Sequence, residues 1–108
     1  MTDQTLLTRV LTHNPAVRAA LEKVYPGVMT CPDWMTLSDA LGNGAVDTVV
    51  SAFLGNKSER VMLAALLMKA DFATQAVEVS GTFWVAWGGL DRRNRGLLLA
   101  LLDEDLED

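Results

Sequence analysis

Apolar residues recur along most of this chain at helical spacing. Leu6, Leu7, Val10 and Leu11 gather on one side of a short helix that the pattern starts near Thr2 or Asp3. In the next segment Asn14 is placed to cap and Pro15 takes the first helical position, where its missing N–H does no harm. Val17, Ala20, Leu21 and Val24 then keep the i, i+3, i+4, i+7 spacing until Pro26-Gly27 ends the helix. Residues 28–35 contain Pro32 and no clear period, which predicts a loop that tucks Met29, Trp34 and Met35 onto the domain.

Thr36-Leu37-Ser38-Asp39 offers a capping-box-like start to a short helix. Leu41-Gly42-Asn43 and Leu54-Gly55-Asn56 both read as helix ends with glycine in the left-handed conformation. Between them Val46, Val49, Val50, Phe53 and Leu54 form the apolar stripe of a second short helix. The recurrence of Leu-Gly-Asn is explained by shared capping chemistry, because the flanking residues match poorly.

Ser58, with Glu59 in the first turn, opens a stronger helix. Val61, Met62, Ala65, Leu66 and Met68 give it a broad apolar face up to about Asp71, and Ala64, Ala65 and Ala70 allow close packing at the centre of the domain. From Ala76 the period changes, with β-branched and aromatic residues on both sides of Ser80-Gly81, which predicts a β-hairpin over residues 76–87. The competing reading is a helix running on from Ser58 to about Val79 and another over Thr82 to Trp87; short apolar runs do not separate the two. After Gly88-Gly89, Asp91 is placed to cap a final helix whose core is Leu97, Leu98, Leu99, Leu101 and Leu102. That helix is apolar nearly all round, so it is either the central core helix or a segment that meets a partner or a second copy. The fold expected is mainly α, a compact bundle of about five or six short helices with the one hairpin, forming a single domain over residues 1–102 with an acidic tail over 103–108.

Composition narrows the classes. Half of the 108 residues are hydrophobic and 21 % are charged, which excludes a disordered chain, and the single Cys31 excludes an internal disulfide framework and points to a reducing compartment. The longest apolar runs fall far short of the roughly 20 residues a spanning helix needs. The N-terminal Met-Thr-Asp-Gln lacks the basic start of a signal peptide, so the expectation is a cytoplasmic protein with no membrane association. Net charge is −5, yet Asp103, Glu104, Asp105, Glu107 and Asp108 account for all of it, and the remainder is neutral. A DNA mimic would spread its carboxylates over a whole face, so the tail reads as a solubilising end or a docking segment for a basic partner.

Catalytic and ligand chemistry finds little support. His13 and Cys31 are separated by a helix and carry no activated-nucleophile motif; the first reads as a surface residue and the second as a small buried one. Ligands for zinc, calcium-loop spacing and phosphate-loop glycines are all missing, so neither metal nor cofactor is expected. Ala40, Gly44, Val50 and Phe53 fall at offsets resembling a helix-turn-helix, but Pro26 to Asn56 holds no Lys or Arg and three Asp, which forfeits the phosphate attraction that dominates DNA affinity.

The most informative cluster is Trp84 and Trp87 followed by Arg92, Arg93 and Arg95. Cations in a helix's first turn oppose its dipole, so helix stability alone would not select them, and Trp and Arg are the side chains that dominate interface energetics. The opposing reading makes the Trp rings core and pairs the Arg side chains with the tail, Asp71 or Glu78. The expectation is a non-enzymatic protein–protein interaction protein: an adaptor, inhibitor or assembly factor, self-association included. Its contact surface would comprise Trp84, Trp87, Arg92, Arg93, Arg95, Leu98 and Leu102, and its size also suits an accessory protein of a phage or plasmid. The alternatives are a nucleic-acid binder using the same Arg-Trp patch and a carboxylate enzyme with Glu78 or Asp91 as base.

Overall fold

In the computed structural model, which describes residues 5–42, 44–81 and 87–106, the described chain forms seven α-helices and no strand. In chain order these are α1 (Leu6–His13), α2 (Pro15–Glu22), α3 (Trp34–Leu41), α4 (Ala45–Ala52), α5 (Lys57–Lys69), α6 (Ala73–Ser80) and α7 (Arg92–Leu106), with a 3-10 turn at Val28–Thr30 between α2 and α3.

Helix α5 is the axis of the domain. Every residue from Val61 to Leu67 is buried, and α2, α6 and α7 pack around it, while α1 bridges α2 and α7. A helix buried on all sides takes its stability from packing rather than from an amphipathic stripe, and truncating one of its leucines would remove about 2–5 kcal/mol. The central helix is therefore α5 and not the last one. In α7 Leu97, Leu98 and Leu101 are buried, and Leu99 is 55 % exposed.

Helix starts follow local capping, shifted from the expected positions. Thr5 caps α1 by accepting from the Thr8 N–H at 3.1 Å, and Asp33 caps α3 by accepting from the Thr36 N–H at 2.8 Å. The second of these starts α3 at Trp34, inside the stretch expected to be loop, and turns Met35 out to 75 % exposure instead of onto the domain. Asn56 caps α5 by accepting from the Glu59 N–H. Gly42 ends α3 as expected, as its C-cap, but the left-handed conformation is corrected: Gly42 has φ −66°, and it is Gly44, at φ 89°, that is left-handed. Gly55 serves close approach instead, since a Cβ there would come within 2.8 Å of Ala16 and closer still to the Phe53 ring.

The hairpin is also corrected. Residues 73–80 are helical, and residues 82–86, which include Trp84, lie outside the described residues. Nor does α5 run on to Val79. Asp71 adopts φ 76°, and the N–H groups of Asp71 and Phe72 donate back to the Met68 and Leu67 carbonyls at 3.1 and 2.8 Å. This is a Schellman ending with aspartate where glycine is usual, and it folds α6 back onto α5.

Asn14, expected as a cap for α2, makes no capping bond. Its side chain is fully buried and faces Asn94 of α7 in a reciprocal amide pair. Asn14 Nδ2 donates to Asn94 Oδ1 at 2.9 Å and to the Val10 carbonyl at 2.7 Å, and Asn94 Nδ2 donates back to Asn14 Oδ1 at 2.8 Å. Asn94 Nδ2 also donates to the Ser58 hydroxyl of α5 at 2.8 Å. The vacated start of α2 is served from elsewhere: the Ala16 N–H donates to Glu59 Oε2 at 2.8 Å, so a carboxylate of α5 caps α2 across the interface.

Two predictions follow from this wiring. Replacing Asn14 or Asn94 by Ala orphans a buried amide and is expected to cost about 2–3 kcal/mol in urea unfolding. The double variant should lose clearly less than the sum, and additive losses would show that the two amides act independently. Asp71→Gly is expected to stabilise by roughly 0.5–1 kcal/mol, because glycine adopts the left-handed conformation without the Cβ penalty; a lower melting temperature would contradict that account.

Candidate functional site

The amide network fixes how the start of α7 meets α1. Asp91 precedes α7 and caps it, with Asp91 Oδ1 accepting from the Asn94 N–H at 2.8 Å. Its own N–H donates to the Ser58 hydroxyl at 3.0 Å, and its carboxylate lies 3.6 Å from His13 Nε2. The Asn94 N–H bond chiefly holds the Asp91 carboxyl below its ordinary value of 3.8, with Ser58 and His13 adding to the effect against the cost of desolvation. A carboxylate tuned in that direction is a weaker base, which counts against Asp91 in acid–base chemistry.

With α7 held in this way, a groove of about 540 Å³ opens between it and α1. Its lining includes Arg9, Thr12 and His13 from α1 and Arg92, Arg93 and Gly96 from α7. Arg9, Arg92 and Arg93 are exposed, and none of the three forms an ion pair among the described residues; Asp71 and Glu78, the intramolecular partners considered from sequence, do not reach them. Three guanidiniums thus face one groove with their donor forks available for carboxylate or phosphate. Arg9 was missed in the sequence because it stands alone among uncharged residues; only its packing beside α7 gives it company.

The other expected contact residues divide. Trp87 is half-buried against the core, and the Arg95 guanidinium lies 5.2 Å from its ring centroid while Arg95 Nη2 donates to the Trp87 carbonyl at 3.4 Å. Arg95 and Trp87 are therefore engaged with each other. Leu98 is 6 % exposed and Leu102 packs against the core, so among the described side chains the leucine that α7 presents to solvent is Leu99. Trp84 lies outside the described residues.

Helix α7 carries its charges against its own dipole. Its first turn has Arg92, Arg93 and Arg95 and no acid, and its last turn has no basic residue. Each such charge costs an exposed helix roughly 0.3–1 kcal/mol. The helix also continues to Leu106, so the acidic segment begins within it rather than after it.

Other chemistry is not assembled. Among the described residues no three His, Cys, Asp or Glu side chains converge as metal ligands, and no helix is long and apolar enough to cross a membrane. Cys31 is buried, with Sγ 3.2 Å from the Asp33 carbonyl. Helices α3 and α4 do flank a left-handed Gly44, but the exposed residues of α4 are Asp47, Thr48 and Ser51, which offer phosphate a negative surface. No family model matches the chain, and neither does any curated protein or solved structure. What the described residues define is a small, mainly helical fold whose groove between α1 and α7 gathers three arginines.

The Asp91 cap carries a pH prediction. Because folding lowers its pKa, Asp91 contributes stability that is fully present above the unfolded value of 3.8 and is lost as pH falls through the folded one. Asp91→Ala should therefore cost about 1 kcal/mol at neutral pH. In thermal melts the gap to wild type should close below about pH 4; a gap that persists unchanged into stronger acid would show that the carboxylate charge is not its source.

Proposed function

We propose that this chain is a non-enzymatic protein-interaction protein, an adaptor, inhibitor or assembly factor, whose groove between α1 and α7 takes an acidic segment of a protein partner. The observation that carries this reading is the convergence of Arg9, Arg92 and Arg93 on one groove with no carboxylate paired to any of them among the described residues. Charge of this kind sets specificity and encounter rate, and its reach is limited to about 8 Å at physiological salt, so the acidic far end of α7 does not cancel it. The nucleic-acid alternative draws less support: stacking needs open aromatic faces, and Trp87 is held between Arg95 and the core.

The test is a fluorescence-anisotropy titration with a labelled acidic decapeptide, its Gln/Asn counterpart and a single-stranded oligonucleotide. The reading expects binding of the acidic peptide over the uncharged one. The Arg9→Ala/Arg93→Ala double variant should weaken that binding at least about tenfold, or roughly 1.4 kcal/mol. Equal binding of both peptides, or an unaffected double variant, would overturn it, and preference for the oligonucleotide would favour the alternative.

A further inference from the structure

The face of α7 turned away from the core only partly borders the groove, through Arg92 and Gly96; its Leu99 and Asp103 have no role described so far. Asn94, Leu97, Leu98 and Leu101 form its buried side, and Arg92, Gly96, Leu99 and Asp103 fall at i, i+4, i+7 and i+11 on the opposite side, all exposed. This is the a/d spacing along which one helix packs against another. The four residues also read charge, small, large, opposite charge.

We propose that this stripe is the interface between two copies of the chain, packed antiparallel through α7. When Gly96 of one copy lies opposite Leu99 of the second, Arg92 falls opposite Asp103, and the two-fold axis repeats both contacts. A self-complementary patch of this kind is what an isologous dimer requires. Each end is closed by an arginine–aspartate pair, and each central leucine sits over a glycine.

Three observations favour a second copy over any other occupant. Gly96 lies inside a helix, where glycine is unfavourable, and a Cβ built there meets nothing within 4 Å, so no contact among the described residues explains it. A second helix approaching at that point does. The charges of α7 oppose its dipole at both ends, and an antiparallel copy sets the basic start of one helix beside the acidic end of the other. A parallel pair would set Arg92 against Arg92, which rules it out. Finally, a shallow depression of about 440 Å³ lined by Leu99, Ala100, Leu102 and Asp103 flanks the exposed leucine, at the level where the second copy's Arg93 falls. The interface goes beyond the acidic-segment groove: Arg92 and Gly96 border both, but Leu99 and Asp103 lie outside the groove, and Arg9 and His13 of the groove lie on α1, outside the stripe.

Sedimentation velocity and native mass spectrometry of the full chain, from micromolar to millimolar, test the proposal. Wild type is expected to pass from 11.7 kDa to twice that mass as concentration rises. Arg92→Asp and Asp103→Arg should each shift the equilibrium toward monomer by at least about tenfold, since each creates two like-charge contacts. Mixed together they should form a one-to-one heterodimer, because both contacts then pair opposite charges. Each substitution suits the dipole of α7, so circular dichroism should show the fold retained. Gly96→Ala supplies a second readout, with a raised melting temperature for the monomer and a weakened dimer. A monomer at every concentration, dimers indifferent to either reversal, or single variants that fail to pair when mixed would each overturn the interface. A monomeric chain that still binds the acidic peptide would sink the dimer alone, and a dimer without peptide binding would sink the groove alone.

Discussion

The buried amide pair between Asn14 and Asn94 is the constraint on which the arrangement depends. The two residues are 80 positions apart, and the pair joins the first helical junction to the last helix, with the Ser58 hydroxyl adding the central one. An apolar core tolerates small sliding and rotation because its contacts are non-directional. A reciprocal amide pair does not, since each shift leaves a donor or acceptor without a partner in a medium that penalises it. Turning α7 by one residue would carry Asn94 about 100° out of register and leave the buried Asn14 Oδ1 without the donor it has in Asn94. The pair therefore selects the rotation of α7 that buries Leu97, Leu98 and Leu101, turns Arg92, Gly96, Leu99 and Asp103 outward, and brings Arg93 beside α1.

A chain of substitutions among capping groups follows from that choice. Asn14 is withdrawn from α2, and Glu59 of α5 takes over the Ala16 N–H; Glu59 is free to reach across because Asn56 already satisfies the start of α5. Ser58 accepts from both Asp91 and Asn94, so the start of α5 also anchors the start of α7. Side chains of α5 thus serve the starts of two other helices, Glu59 that of α2 and Ser58 the Asp91 N–H ahead of α7, while Asn56 caps α5 locally. Lys69 completes the frame at the other end of α5, donating to the Leu101 carbonyl of α7 at 3.1 Å while lying over the Trp34 ring. The polar contacts between α5 and α7 lie near both ends of α5, and apolar packing fills the length between them.

Much of the helical organisation was legible because it rests on local spacing. Pro15 at the start of α2, the apolar positions of α1 and α2, the buried run of α5 and Asp91 as the cap of α7 all declare themselves within a few residues. Two of the misreadings share a physical cause, which is that a distant contact won over the local use the sequence suggests. Asn14 has the chemistry of a cap and of a buried amide partner, and its partner lies 80 positions away. Ala76-Val77-Glu78-Val79 has strand-like composition, but the ending at Asp71 folds it back over α5, where packing overrides propensity. That ending carries no glycine to announce it. In the candidate site the arginines of α7 were visible as a cluster, whereas Arg9 acquires meaning only from tertiary packing, and Arg95 is drawn into holding Trp87.

The order of charges along α7 separates stability from use. A helix selected for its own stability would carry acids first and bases last, and its interior would avoid glycine. This helix has arginines first, its acidic segment last and Gly96 exposed between them, while its inward face is apolar and pinned by Asn94. The inward face obeys the rules for a core helix, and the outward face breaks three of them at once. Arg92, Gly96 and Asp103 lie on the surface that the amide pair turns outward, and the proposed second copy would place their compensation outside the chain. There, a complementary charge and a large side chain supplied by another molecule would restore what the isolated helix lacks.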